Sequence, residues 1–311
     1  MTTLDPDAQR DPDGQRDPDA AGLLTELLQV LDVRAAGKDA QGQDLFEGQS
    51  QPQPHGRVFG GQVLGQTLVA AGRTVDLGRP VHSMHGYFLR PGDSGEPITF
   101  AVERLRDGQS FSARRVHAIQ FGRPILSMIA SFQLPSAGFD HQDTMPEVPD
   151  PESLPTAREL LADLDHPVAR SWSRGRAIDL RHVEGPVYWR AGAERVAHQA
   201  VWMRTVAPMP DDDPLLHRAV LGYASDYTLL EPVLRRHGVT WATPGLKAAS
   251  LDHAMWWHRP VRADEWLLYA QASPSASGAR GLSTGRIFTR EGHLVATVAQ
   301  EGMLRPPRDP A

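Results

Sequence analysis

A helix followed by a run of strands is written twice in this chain, and a duplication restricts the possible folds more than any single motif does. In the first copy FGGQVLGQTLVAAGRTV, from Phe59 to Val75, has the small and aliphatic residues of a tightly packed helix, with Val63, Leu64, Leu68 and Val69 along it. HSMHGYFLRPG follows, then ITFAVERL, FSARRVHAIQ and ILSMIASFQL, three runs rich in β-branched or aromatic residues and divided by DGQ and FGRP turns. The second copy opens with LLHRAVLGYASDYTLLEPVL, Leu215–Leu234, whose spacing predicts one longer helix, and continues through SLDHAMWWHRP, WLLYAQAS, GLSTGRIFTR and HLVATVAQEGML. With Arg90-Pro91 laid over Arg259-Pro260, the segments run on without a gap. Ile98-Thr99-Phe100 falls on Leu267-Leu268-Tyr269, Ile125-Leu126-Ser127 on Leu294-Val295-Ala296, and Ser131 on Gln300. The pattern predicts a duplicated α+β unit in which each antiparallel sheet wraps its own helix.

The rest of the chain frames these two units. Residues 1–22 repeat Asp-Pro-Asp with Gln-Arg between, too charged and too poor in large apolar groups to build a core, and are expected to form a disordered acidic tail. LLTELLQVL, Leu23–Leu31, reads as a short amphipathic helix that opens an N-terminal unit over 23–134. Proline and acid dominate the region 135–185, expected as a linker with one helix at Ala157–Asp165; a C-terminal unit over 186–306 and a tail over 307–311 follow. The acidic run Asp211–Asp213 reads as a solvated loop whose last member caps the next helix ahead of Pro214.

Composition narrows the function classes. A chain of 311 residues with 40% apolar content can bury a substantial core. The absence of cysteine rules out disulfides, a thiolate nucleophile and cysteine-ligated zinc or iron–sulfur clusters, and suits a cytoplasmic protein. The acidic start has no apolar core of a signal peptide, and no stretch approaches the roughly 18 apolar residues of a membrane span. A net charge of −6 gives no general attraction to nucleic acid, though a local basic patch around a phosphate-bearing ligand is compatible with it.

Three polar residues stand in segments that otherwise read as core: Asp226 in the second helix, Ser250 at the start of an apolar strand and Gln300 at the end of another. An unpaired buried polar group costs about 1–3 kcal/mol and a charge more, so each needs partners, and the three could satisfy one another around a water. Asp226 lies beside the stripe Leu216, Ala219, Val220, Tyr223, Tyr227 and Leu230, where it is either a carboxylate aimed into a cleft or one bonding backbone amides at a helix irregularity. Strand alternation would put Ser250, Asp252 and Ala254 on one side and Leu251, His253 and Met255 on the other. A strand serine is ordinarily just small; Gln300, with four hydrogen-bonding sites, interrupts a core strand unless it faces an edge.

FGGQVLGQTLVAAGRTV, HSMHGYFLRPGD, YASDYTLL, SLDHAMWWHRP and SASGARGLSTGRIFTREGHLVATVAQEG together resemble the acyl-CoA thioesterase II family, over roughly residues 23–306. The resemblance implies a double hotdog fold and hydrolysis of fatty acyl-CoA. It also implies a catalytic set of helix aspartate, strand threonine or serine and late glutamine, which fall on Asp226, Ser250 and Gln300. Position 250 carries the serine variant, which keeps the hydroxyl. In such chemistry an oriented water attacks the thioester and Asp226 takes its proton, while a backbone N–H around Gly60-Gly61 of the other half meets the oxyanion. A thioester is already activated, so no metal or organic cofactor is required. Arg57, Arg90 and Arg259 are candidates by charge for the coenzyme A phosphates. The resemblance implies an acyl-CoA substrate and, with the exposed sheet edges, a homo-oligomer, dimer or larger; the charge and the lack of an apolar span set the expectation of no nucleic-acid partner and no membrane partner. The final RPPRDPA lacks a peroxisomal Ser-Lys-Leu ending.

Other classes compete. GLSTG, Gly281–Gly285, matches G-x-S-x-G, and His253 with an aspartate could complete a serine hydrolase triad on Ser283. That elbow, however, needs strand, turn and helix, whereas this segment reads as strand, turn and strand. A non-catalytic acyl-CoA sensor and, by analogy of fold, a hydratase are further alternatives. His82, His85, His253 and His258 flank the two Arg-Pro points without a metal-binding spacing and are expected to be structural.

Overall fold

The computed structural model describes residues 19–306 apart from 54, 163, 166, 211 and 212. The acidic tail expected over 1–22 therefore lies largely outside the described residues, as do 307–311; its last three residues, 20–22, already belong to helix α1 (Ala20–Leu31), which buries Leu24, Leu27 and Leu31. Strands β1 (Arg34–Lys38) and β2 (Asp44–Gly48) lead to α2 (Gly60–Gly72). The predicted meander follows as β3 (Val81–Phe88), β4 (Ile98–Asp107), β5 (Phe111–Gln120) and β6 (Arg123–Gln133). Phe121 and Gly122 join β5 to β6 with φ of 50° and 68°, the left-handed pair that a two-residue hairpin demands.

The region expected as linker is more than a connection. Met145, Val148 and Leu154 pack on a cluster that includes Trp202, Trp266, Leu268, Phe288 and Leu294, while Gln142 exchanges hydrogen bonds with Gly292 O (2.7 Å) and Leu294 N (3.1 Å). A strap thus covers part of the second unit. Helix α3 (Ala157–Leu161) starts on a Thr156–Glu159 capping box, and α4 (Pro167–Arg174) and β7 (Ile178–His182) follow. β7 lies inside 135–185 yet forms the sheet's outermost strand on the side of the second unit, pairing with the next strand and burying Ile178, Leu180 and His182.

The second unit continues with β8 (His198–Thr205) and α5 (Pro214–Ser225), where Asp213 accepts from Leu216 N as the expected cap. The longer helix predicted over 215–234 is two helices. α5 stops at Ser225, a turn covers 226–230, and α6 (Glu231–His237) resumes. Pro232 explains the interruption: it has no N–H for the carbonyl four residues earlier and its ring would collide with that turn. Then come β9 (Lys247–Ser250), β10 (Asp252–Trp257), β11 (Leu267–Ser277), β12 (Arg280–Thr289) and β13 (Leu294–Arg305).

Along the sheet the strands run β1-β2-β4-β5-β6-β3-β10-β13-β12-β11-β8-β7, with β9 paired to β13. The two halves of that order mirror each other about the antiparallel β3–β10 pair, in which Met84 faces Met255. Ile98 and Leu267 each start a strand, and so do Phe111 and Arg280, as the overlay of Arg90 on Arg259 requires. The sheet encloses α2 and α5, which pack on each other. α2 is buried from Gly61 to Ala71, and its two glutamines are satisfied inside: Gln62 by Gln51 N (2.9 Å) and Gln66 Oε1 (3.1 Å), Gln66 by Val30 O (2.8 Å) and Gln49 O (2.7 Å). No described helix is long and apolar enough to cross a membrane.

Candidate functional site

Asp226, Ser250 and Gln300 meet. Gln300 Nε2 donates to Asp226 Oδ1 at 3.0 Å and to Ser250 Oγ at 2.8 Å, and the Ser250 hydroxyl donates to the same Oδ1 at 3.3 Å. The three groups touch directly and do not need a bridging water to satisfy one another. Each arrives by a different device. Asp226 is the first residue past α5, set at the start of the turn that Pro232 enforces. Gln300 sits inward on β13, 1% exposed.

Ser250 reaches the site through an irregularity that simple alternation does not foresee. β9 pairs Ser250 with Gly302, but β10 pairs Ala254 with Ala299, so one extra residue is accommodated between them. Leu251 N bonds Glu301 O at 2.9 Å while Glu301 N turns to the Asp252 carboxylate at 2.7 Å, which makes this a β-bulge. The expectation that Ser250 and His253 face opposite sides is thereby corrected: the extra residue shifts the phase, and both side chains bond Gln300.

The far wall comes from the first unit. Gly61 N–H donates to the Asp226 carboxylate, so this amide, a candidate oxyanion donor by sequence, is engaged by the aspartate. The approach needs both glycines: a Cβ on Gly60 would lie 2.6 Å from Asp226 Oδ2, and one on Gly61 would lie 2.3 Å from Tyr223 O. Asp226 thus stands at the carbonyl end of α5 and the amide end of α2, two helix termini of opposite electrostatic sign. Burial pushes its pKa up to about 6, against the hydrogen bonds from Gln300, Gly61 and Ser250, which favour the ionised form. A carboxylate that changes charge near neutral pH is suited to accept a proton from water.

Aromatic rings border the carboxylate. Phe59 stacks on Tyr227 with centroids 4.7 Å apart, the Tyr223 and Tyr227 hydroxyls are 3.0 Å apart, and Arg176 lies 4.5 Å from the Tyr227 ring centre. Burial raises the pKa of both tyrosines, so they are neutral donors at working pH.

The remaining candidates are scattered. Arg90 donates to Pro124 O at 2.8 Å, and its counterpart Arg259 donates to Leu294 O at 2.8 Å and to Asp140 at 2.6 Å; each ties the end of a central strand to the hairpin beside it. Arg57 is exposed, bridged to Asp93 through its backbone, three residues before Gly60. Ser283 lies inside β12, opposite Gln300 on β13, so the helix that a nucleophile elbow needs does not follow it. His82 bonds Ser131 Oγ at 2.8 Å, His85 packs edge-on to Trp256, and His258 bonds Thr297 at 2.8 Å. The bond between His253 and Gln300 and the Gly61 contact with Asp226 escape a reading of the sequence. The first depends on the bulge and the second on how the units pack, and no local signal marks either.

Known proteins are similar to this chain in sequence and architecture. Residues 179–303 match the family model described as acyl-CoA thioesterase, and residues 49–133 match that of the acyl-CoA thioesterase N-terminal domain. Acyl-CoA thioesterase 2 of Haemophilus influenzae is 39% identical over 267 residues, which cover 84% of this chain and 92% of that protein. The crystal structure of an acyl-CoA thioesterase II from Mycobacterium marinum is 44% identical and matches with a TM-score of 0.73 over 90% of this chain and 98% of that one. A conserved protein of unknown function with a hot dog fold from Alicyclobacillus acidocaldarius matches with a TM-score of 0.74 over 91% and 99% of the two chains; at 19% identity that likeness shows the fold alone. Two mirrored units, each a helix wrapped by an antiparallel sheet, together with these matches across nearly the whole chain, place it in the acyl-CoA thioesterase family, as a double hotdog protein.

Proposed function

We propose that the chain hydrolyses fatty acyl-CoA to a free fatty acid and coenzyme A, with Asp226 as the general base. One observation carries this most: two polar side chains remote in sequence converge on a single oxygen of a carboxylate whose pKa is pushed up to about 6. Ionised Asp226 accepts a proton from a water, and the oxygen of that water forms a bond to the thioester carbon. Ser250 and Gln300 hold Oδ1 and so fix the direction in which the carboxylate presents itself to the water. As the tetrahedral intermediate collapses, the carbon–sulfur bond breaks and the thiolate takes a proton, which returns Asp226 to its charged form. The Gly60 N–H at the head of α2 is the proposed oxyanion donor, since Gly61 is engaged with Asp226.

For substrate binding, Arg57 is the best placed of the three arginines to meet a coenzyme A phosphate, being exposed and close in sequence to Gly60; Arg90 and Arg259 are already held by carbonyls. The composition suits a cytoplasmic enzyme. Tyr87 on β3 and Ile129 on β6 are exposed on the central strands and suit self-association, which light scattering would measure. Thiol release from acyl-CoAs of graded chain length tests activity and preference together. Wild type and Ser283→Ala are expected to turn over alike, and Asp226→Asn to lose about 10²–10⁴-fold in kcat. Binding without thiol release would make the protein a sensor, and loss of activity in Ser283→Ala alone would make it a serine hydrolase.

A further inference from the structure

His253 is fully buried, and both ring nitrogens have partners: Nε2 lies 3.0 Å from Ser225 Oγ at the end of α5, and Nδ1 faces Gln300 Oε1. A glutamine amide can turn over with no change of shape, so its neighbours alone decide which end is nitrogen. On one side Gln300 meets Asp226 Oδ1 and Ser250 Oγ. An ionised carboxylate accepts only, so the NH2 must point there, and Oε1 is left needing a donor. Nδ1 of His253 is the group in that position. Burial in this apolar surround pushes the His253 pKa down to about 4, so the ring is neutral and carries one proton.

We propose that His253 is a positioning residue: protonated on Nδ1, it donates to Gln300 Oε1 and so holds the amide with its nitrogen toward Asp226 and Ser250. The Ser225 hydroxyl completes the relay by donating to Nε2. Its competing acceptor, Gly222 O at 2.9 Å, would reverse the chain: Nε2 would then carry the proton and the Nδ1 lone pair would oppose Oε1. The orientation of the carboxylate's main donor is therefore set one layer deeper, by a ring brought onto the same side as Ser250 by the bulge at Leu251. This inference rests on the proposed role of the Asp226 set.

Nitrogen-15 NMR of the imidazole in the wild-type protein at pH 8 tests it without any variant, with Nδ1 protonated as the expected pattern; an Nε2-protonated ring overturns it. In the thiol-release assay His253→Leu should lower kcat roughly 10- to 100-fold with KM within about twofold. His253→Asn, whose amide nitrogen reaches toward the Nδ1 position, should recover part of the loss. In a Gln300→Ala background His253→Leu should cost little more, because the group it positions is gone. Equal losses in both backgrounds would make the histidine merely structural. If Asp226→Asn keeps full activity, the general-base proposal falls whatever the tautomer; if it loses activity while Nε2 carries the proton, the His253 proposal alone falls.

Discussion

The α2–α5 pair has two ends that the duplication makes counterparts, and they are furnished differently. At one end Gly60 and Gly61 admit the Asp226 carboxylate, with Ser250 and Gln300 behind it. At the other, the C-terminal end of α2, Gly72 lies against Leu215, whose side chain would meet an added Cβ at 2.5 Å. Arg73, next along, pairs with Asp32 and Val33 O, and Ser131, in the place that the overlay gives to Gln300, bonds His82. Both ends share the strand frame. Only one carries an acid and an amide in contact. Between α2 and β3 the chain needs eight residues, 73–80; between α5 and β10 it spends 226–251 on the Asp226 turn, α6, β9 and the bulge. A duplicated scaffold has thus been differentiated mainly by one insertion, and that insertion holds two of the three proposed functional side chains.

The largest contrast is expected between Gln300→Ala and Ser131→Ala, aligned positions on β13 and β6. Thiol-release kinetics should show a loss of about 10²–10³-fold in kcat for the first and a change within about twofold for the second, with Ser250→Ala losing roughly tenfold. Comparable losses at Ser131 would mean that the first unit also takes part in the chemistry.

Next in size is a stability difference between the two helix ends. Gly61→Ala puts a methyl 2.3 Å from the Tyr223 carbonyl, a backbone atom, and should cost about 2–3 kcal/mol in urea unfolding. Gly72→Ala meets only a leucine side chain that can rotate away, and should cost under about 1 kcal/mol. Equal costs would show that the close approach at Asp226 is not special.

The smallest expected effect is on the stability of Asp226→Asn. The folded-state pKa of Asp226 is raised above its ordinary value, so the ionised carboxylate opposes folding. That penalty is absent well below pH 4, grows between the ordinary carboxylate range and about pH 6, and is complete above it. The shift corresponds to roughly 3 kcal/mol, part of which the amide forfeits because its NH2 cannot accept from Gly61 N–H, so Asp226→Asn should gain on the order of 1–2 kcal/mol at pH 8 and nothing at pH 3.5, by chemical denaturation at the two pH values.

The starts of β4 and β11, at Ile98 and Leu267, and those of β5 and β12 could be read because strand periodicity is local and the duplication supplies a second copy. β1, RAAGK, offered no alternation to read, since all five of its residues are exposed, and β7 was hidden in a stretch whose prolines and acids dominate its composition. The break between α5 and α6 was signalled by Pro232 but was outweighed by an apolar stripe that continues through Leu230, Val233 and Leu234. The three proposed functional residues stood out as polar groups in apolar segments. The bond of His253 to Gln300 did not, because its side of the strand depends on a bulge fixed by pairing with β13, and Gly61, named as an oxyanion donor, was not foreseen as a partner of Asp226, because that contact depends on how the units pack.

Whether Asp226 works as an ionised base is read from the pH dependence of kcat/KM for thiol release by the wild-type protein. An ionised Asp226 base gives a plateau above about pH 6 and a roughly tenfold fall for each pH unit below it, set by the Asp226 carboxyl with His253 remaining neutral down to about pH 4. A rate that stays level down to pH 4.5 in a protein still folded there would contradict it.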